Sequence, residues 1–227
     1  MTFNAATLRD MPDEMVAKAL STLSKSQIEQ LHHEWSFWAR PEQLEPAGDW
    51  NVWFINAGRG FGKTRAGVEW VREQVKKGHK RIAAVASTNS DILRVMVKGE
   101  SGFLNVCHKD DKNHKGKLIG FPLWSPTKRT LSWHKDGDHS KAEIATVEFY
   151  SAEEPERLRG PQFSAAWCDE LAAWNKDQDT WDMLQFCLRL GKHPKICVTT
   201  TPKSTVLVRK LIKDEKTCIT VGSTFDN

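Results

Sequence analysis

No run of apolar residues in this 227-residue chain approaches the roughly 20 that a membrane-spanning helix needs, which excludes a helical membrane protein. The first ten residues, Met1 to Asp10, lack a basic stretch followed by an apolar core, so no secretion signal is expected. Cysteines are few: Cys107, Cys168, Cys187, Cys197 and Cys218 are odd in number, scattered, and never spaced as a CxxC pair. That excludes a disulfide framework and indicates a reducing compartment. Cys107, His108 and His114 match no zinc spacing, and no metal is assigned to them. Strong charge of either sign is also missing. A formal net charge of +4 suits a polyanionic partner but is low for a dedicated nucleic-acid-binding module. There is no internal repeat and no low-complexity tract.

What remains is a globular composition, 39% hydrophobic and 27% charged, with length for one α/β domain and a small appendage. Residues 12–38 carry helical periodicity, broken near Ser24–Ser26 and ended by Pro41 and Pro46. Short apolar runs read as buried strands at Trp50–Ala57, Arg81–Ser87, Phe163–Cys168, Ile196–Thr200 and Cys218–Val221. Helices are expected at Thr64–Lys77, Asp91–Lys98, Thr180–Leu190 and Val206–Lys213, with Gly78 a natural stop for the first. Arg129–Trp133 and Ile144–Tyr150 read as a hairpin-like excursion, and the lysine-rich stretch 105–117 as a loop. Buried strands alternating with helices predict a mostly parallel sheet covered on both faces. The expected organisation is a helical lead over 1–40 and an α/β domain over 41–227.

The segment Ala57-Gly58-Arg59-Gly60-Phe61-Gly62-Lys63-Thr64 fits the P-loop pattern GxxxxGK[ST], with Ala57 at the first glycine position. A strand precedes it and a helix follows, as the motif requires. Glycines let backbone N–H groups converge on phosphate oxygens at a helix N-terminus. Lys63 is expected to reach the β- and γ-phosphates of ATP, and the Thr64 hydroxyl to ligate Mg²⁺. Such a loop needs acids at the end of a neighbouring strand. Phe163–Cys168 leads into Asp169 and Glu170. Asp169 is expected to hold Mg²⁺ and Glu170 to polarise the attacking water; the competing reading makes both acids a helix cap. Thr199, Thr200 and Thr201, before Pro202, end another buried strand and either sense the γ-phosphate or are a β-rich threonine run. Arg59 either faces the γ-phosphate or is a solvated loop arginine. Asn175–Asp179 resembles a guanine-specificity motif, but its aspartate comes one position late, and it reads as a polar helix start.

Beyond the phosphate loop, Ala39–Leu44, Gly48–Trp50, Tyr150–Gln162, Ala165–Trp174 and Thr199–Pro202 together resemble the large terminase subunit of tailed bacteriophages, from about residue 39 onward. The resemblance implies a P-loop ATPase of the ASCE type, whose ATP hydrolysis drives double-stranded DNA through a portal into a procapsid. It implies nucleotide contacts from Gln43, which reads the adenine, and from Gly58, Arg59, Gly60, Phe61, Gly62, Lys63, Thr64 and Arg65. Arg59 acts in cis, Arg159 is offered to a neighbour's ATP with Arg157 its rival, and Thr199–Thr201 form the coupling motif. Implied partners are double-stranded DNA, the portal protein, the small terminase subunit and further copies in a ring, pentameric on the portal, in the cytoplasm of an infected bacterium. No membrane partner is expected. No cluster of acids suited to two metals follows Thr201, so a nuclease half is not expected in this chain. The basic stretch Lys109–Lys141 is longer than the family leads one to expect; it reads first as a solvated loop, with contact to DNA phosphates the alternative. The competing functions are another ASCE DNA translocase, such as a helicase, and an assembly module that binds ATP without hydrolysing it.

Overall fold

The structure, a computed structural model, describes residues 4–9 and 11–224 and forms two compact units, 1–44 and 45–227. The readings made at Met1–Phe3, at Asp10 and at Phe225–Asn227 lie outside the described residues.

Among its described residues the first unit holds four short helices, α1 (Ala5–Arg9), α2 (Asp13–Ser21), α3 (Lys25–His33) and α4 (Trp35–Trp38), then a 3₁₀ turn at Pro41–Gln43. The break expected near Ser24 is the start of α3. The Ser24 hydroxyl accepts the Gln27 N–H at 3.3 Å, and the Gln27 side chain accepts the Ser24 N–H at 2.8 Å. This reciprocal cap satisfies two N–H groups that have no partner within the helix.

The second unit is built on one eight-stranded sheet in the order β3-β4-β5-β2-β6-β7-β1-β8. The strands are β1 (Val52–Ala57), β2 (Arg81–Ala86), β3 (Leu123–Ser125), β4 (Thr130–His134), β5 (Glu143–Ser151), β6 (Ala165–Asp169), β7 (Lys195–Thr200) and β8 (Thr217–Gly222). From β5 to β8 every pairing is parallel; β4 alone runs against its neighbours. The pair expected over 129–150 is therefore no excursion. β5 pairs with β2 from Arg81↔Thr146 to Ala86↔Ser151 and extends the central sheet, while β4 and the three-residue β3 finish its edge.

The other helices are α5 (Lys63–Lys77), α6 (Asn89–Asp91), α7 (Phe103–Val106), α8 (Asp177–Cys187) and α9 (Val206–Lys213). In place of the α-helix expected at Asp91–Lys98, α6 passes into a π-helical stretch at Ile92–Val97. The central strands are apolar on both faces because both are covered. Phe54, Val85, Ala166 and Val198 face the cluster that holds Trp181 and Leu184 of α8 and Leu207 and Leu211 of α9. On the opposite face the Trp167 ring lies under α5, so close that a Cβ on Gly67 would come within 2.2 Å of it. Only glycine lets α5 sit this low on the sheet.

Candidate nucleotide site

Because β1, β6 and β7 are parallel and adjacent in the order β6-β7-β1, their last residues, Asp169, Thr200 and Ala57, reach the same edge of the sheet. The loop Gly58–Gly62 leaves that edge and turns into α5. Gly60 and Gly62 adopt φ of +81° and +84°, a left-handed conformation that side chains with a Cβ rarely take. The loop is anchored from below. The Gly58 N–H donates to the Gly222 carbonyl at 3.0 Å, and the Phe61 ring, 1% exposed, packs against Gly222 with no room for a Cβ there.

Lys63 is buried at the first position of α5, and its ammonium curls back over the loop. Nζ donates to the Ala57 and Gly58 carbonyls at 3.0 and 2.9 Å and lies 3.8 Å from Glu170 Oε1. Thr64 follows on the first turn, half-buried. Arg65 points along α5 and donates to Glu69 Oε1 at 2.8 and 3.0 Å. Arg59 is exposed at the outer turn of the loop.

Across from Lys63, the three threonines at the end of β7 each hold a different part of the segment Asp169–Ala172. Thr199 Oγ1 donates to Asp169 Oδ1 at 2.7 Å and accepts the Trp167 Nε1–H at 3.0 Å. Thr200 lies on the other face and accepts the Ala172 N–H at 3.0 Å. The Thr201 hydroxyl lies 3.0 and 2.9 Å from the two carboxylate oxygens of Glu170, and its N–H donates to Oε2 at 3.1 Å. Glu170 itself has φ +48°, one of three non-glycine residues with positive φ among those described. Strained backbone of this kind costs on the order of 1–3 kcal/mol and persists only where surrounding contacts fix it; here the Thr201 contacts do so.

Asp169 is 5% exposed. Burial pushes its carboxyl up to about 7; the Thr199 hydrogen bond opposes this and the neighbouring charge of Glu170 adds to it. Cys168 is buried as well, which raises its thiol well above the ordinary range.

Gln43 belongs to the first unit, where its Oε1 accepts the Arg40 N–H at 3.0 Å. Arg157 and Arg159 sit on the connection from β5 to β6, outside the cluster of Lys63, Asp169, Glu170 and Thr201. Their Nε atoms lie 3.3 Å from Glu154 and 2.7 Å from Glu156, and both side chains are exposed. Trp167, which joins Gly67 of α5 to Thr199, is absent from the residues that the sequence singles out. The two-residue alternation of β6, which sets Trp167 and Asp169 on one face, is the available clue.

A phosphate-type loop, a lysine over it, and a strand-end Asp-Glu pair separated from that loop by the threonine-ended strand define a P-loop NTPase fold of the ASCE type. The chain belongs to the family described as "Terminase large subunit, T4likevirus-type, N-terminal", whose profile matches residues 54–216. Comparison with curated proteins returns no significant match. Among solved structures, the large terminase ATPase domain of Thermus phage P74-26 aligns over 89% of this chain and 86% of its own, at 16% identity and TM-score 0.56. The large terminase of a thermophilic bacteriophage aligns at 12% identity and TM-score 0.58, covering 90% of this chain but 46% of that longer one. The same large terminase solved in complex with ADP gives 13% identity and TM-score 0.55. Among the described residues, no helix is long and apolar enough to cross a membrane.

Proposed function

We propose that this chain binds and hydrolyses ATP at Gly58–Thr64, and that hydrolysis drives double-stranded DNA into a viral procapsid, as the motor part of a large terminase. One observation carries the chemical half of this reading: Lys63 Nζ and Glu170 Oε1 lie 3.8 Å apart at the sheet edge where the loop opens, beside buried Asp169. Membership of the terminase family carries the other half.

In this reading the N–H groups of Gly58–Gly62 and the Lys63 ammonium bind the phosphates, and Arg59 adds charge from the outer turn. Phe61 fixes the loop to β8, and Arg65 steadies the first turn of α5. Gln43 recognises the adenine. Glu170 accepts a proton from the attacking water, and Thr201 orients its carboxylate. Thr199 and Thr200 carry the change at Asp169–Ala172 into the rest of the sheet.

Magnesium suits the acceptors. Asp169 is a buried carboxylate with a hydroxyl donor and no hydrogen-bonded cation among the described residues, so a divalent ion would restore its charged form. Thr64 and Asp169 would hold that ion, which when bound would offset charge on the phosphates. Arg159, or Arg157 beside it, serves a neighbouring copy in a ring on the portal, with the small subunit as a further partner. The place of action is the host cytoplasm, and residues 41–227 form the motor domain behind a helical lead at 1–40.

Phosphate release with and without duplex DNA tests the reading. The chain should turn over ATP, and Glu170→Gln should keep ATP affinity while slowing turnover at least ~100-fold, the scale of general-base catalysis. ATP binding without turnover, with DNA present, would leave an assembly module and overturn the motor.

A further inference from the structure

The lysine-rich stretch after α7 is a braced hairpin. Lys112 and Leu118 form an antiparallel bridge, and Gly116, at φ +73°, makes the turn. Asn113 closes it: its Oδ1 accepts the N–H groups of Lys115 and Lys117 at 3.0 Å each, and its own N–H donates to the Lys117 carbonyl at 2.8 Å. The brace lies underneath. Arg72 of α5 binds both carboxylate oxygens of Asp111 and donates to Glu69 Oε2 at 2.8 Å. All three residues are between 2% and 5% exposed. The Asp111 carbonyl accepts the Ile119 and Gly120 N–H groups, and the His114 N–H reaches the Lys76 carbonyl at 3.2 Å. Removing three charges from water is costly unless each is matched, and a loop that is only solvated needs no such brace.

The hairpin holds out Lys109, Lys112, Lys115 and Lys117, all exposed. The acids facing them are few. Glu73 of α5 meets His114 at 2.5 Å, Asp110 lies 3.5 Å from His108, Asp136 sits near Lys117 and is paired with Lys141, and Asp111 is matched by Arg72. Lysine presents a point charge on a flexible stem, which suits phosphates whatever the base sequence. The hairpin carries no Phe, Tyr or Trp on which unpaired bases stack, which favours a duplex over a single strand. It lies against the last turns of α5, roughly 20 Å along that helix from Lys63 at 1.5 Å per residue.

We infer that this hairpin grips the phosphates of duplex DNA, a role that rests on the motor reading above. The position is remote from the ATP loop but on the same helix, so the Glu69–Arg72–Asp111 brace joins the two.

The test is duplex binding by the whole chain over a series of salt concentrations. For each phosphate that is no longer neutralised, the slope of log affinity against log salt falls by about 0.9. The combined variant Lys112→Ala, Lys115→Ala, Lys117→Ala should therefore bind more weakly, with a slope smaller by up to about 2.7. Its ATP turnover without DNA should stay unchanged. The variant Lys203→Ala, Lys210→Ala, Lys213→Ala alters net charge equally and should keep most of the slope. An unchanged slope in the hairpin variant, or an equal decrease in the control, overturns the inference. Lysine-dependent binding of polyglutamate without duplex binding assigns the hairpin to an acidic protein and overturns it too. ATP turnover read in the same samples separates the two claims: its absence from the wild type indicts the Gly58–Thr64 reading, whereas a wild-type slope in the hairpin variant indicts the hairpin alone.

Discussion

Thr201 holds both carboxylate oxygens of Glu170, through a hydroxyl at 3.0 and 2.9 Å and an N–H at 3.1 Å. The residue read as part of a γ-phosphate sensor is thus bound to the residue read as the base. Thr201→Val keeps the side chain's size and the N–H but removes the hydroxyl. A hydrogen bond to a charged group is worth about 1.5–3 kcal/mol, so turnover should fall by about tenfold or more. A hydroxyl whose role is to orient the base would change kcat and leave KM for ATP nearly unaltered. A wild-type kcat in this variant would remove Thr201 from the catalytic arrangement.

Asp169 should make the magnesium-free chain less stable as pH rises. Burial holds its carboxyl at about 7 in the folded state, above its ordinary value of 3.8. Between those values the folded chain keeps a proton that the unfolded chain has released, so stability falls with rising pH and levels off above about 7. Asp169→Asn should flatten this part of the profile, read as thermal midpoint against pH from about 4 to about 8, the span of the two values. Parallel profiles for the two proteins would contradict the assignment.

The parts of this fold that are legible in the sequence are those written locally. β1, β2, β6 and β7 are short apolar runs buried on both faces, and α5 follows a glycine-rich motif that admits few other structures. Asp169 and Glu170 can be named because an acid at the end of a buried strand reaches the sheet's carboxyl edge. What stays hidden depends on distant partners. β3 has three residues, with Leu123 exposed, and is a strand only because β4 pairs with it. β5 reads as an excursion because nothing in its own sequence says that it lies beside β2. Glu69 and Arg72 are visible as a helical i,i+3 pair, yet Asp111 completes that brace from 39 residues further on. The left-handed backbone of Glu170 has no local cue at all.

Arg159 is exposed and lies outside the Lys63–Glu170 cluster, as a residue serving another copy's ATP would. Arg159→Ala should bind ATP but turn over slower by roughly 10³–10⁵, the worth of an arginine finger. Specific activity of the wild type should climb with concentration as rings form. Mixing Arg159→Ala with Glu170→Gln should restore part of the activity, because the first keeps an intact pocket and the second supplies the arginine. Activity independent of concentration, with no rescue on mixing, would point to an arginine acting in cis. Rescue by an Arg157→Ala partner in place of Arg159→Ala would move the role two residues.

The central claim is that the loop Gly58–Thr64 is where ATP is bound and split, with Lys63 as its phosphate-binding charge. Calorimetric titration of ATP into wild type and Lys63→Ala, with phosphate release read on the same preparations, tests it most directly. Lys63→Ala should keep a wild-type far-ultraviolet spectrum, lose most of its affinity for ATP, and show no turnover. A folded Lys63→Ala protein that binds ATP as tightly as the wild type would contradict the account.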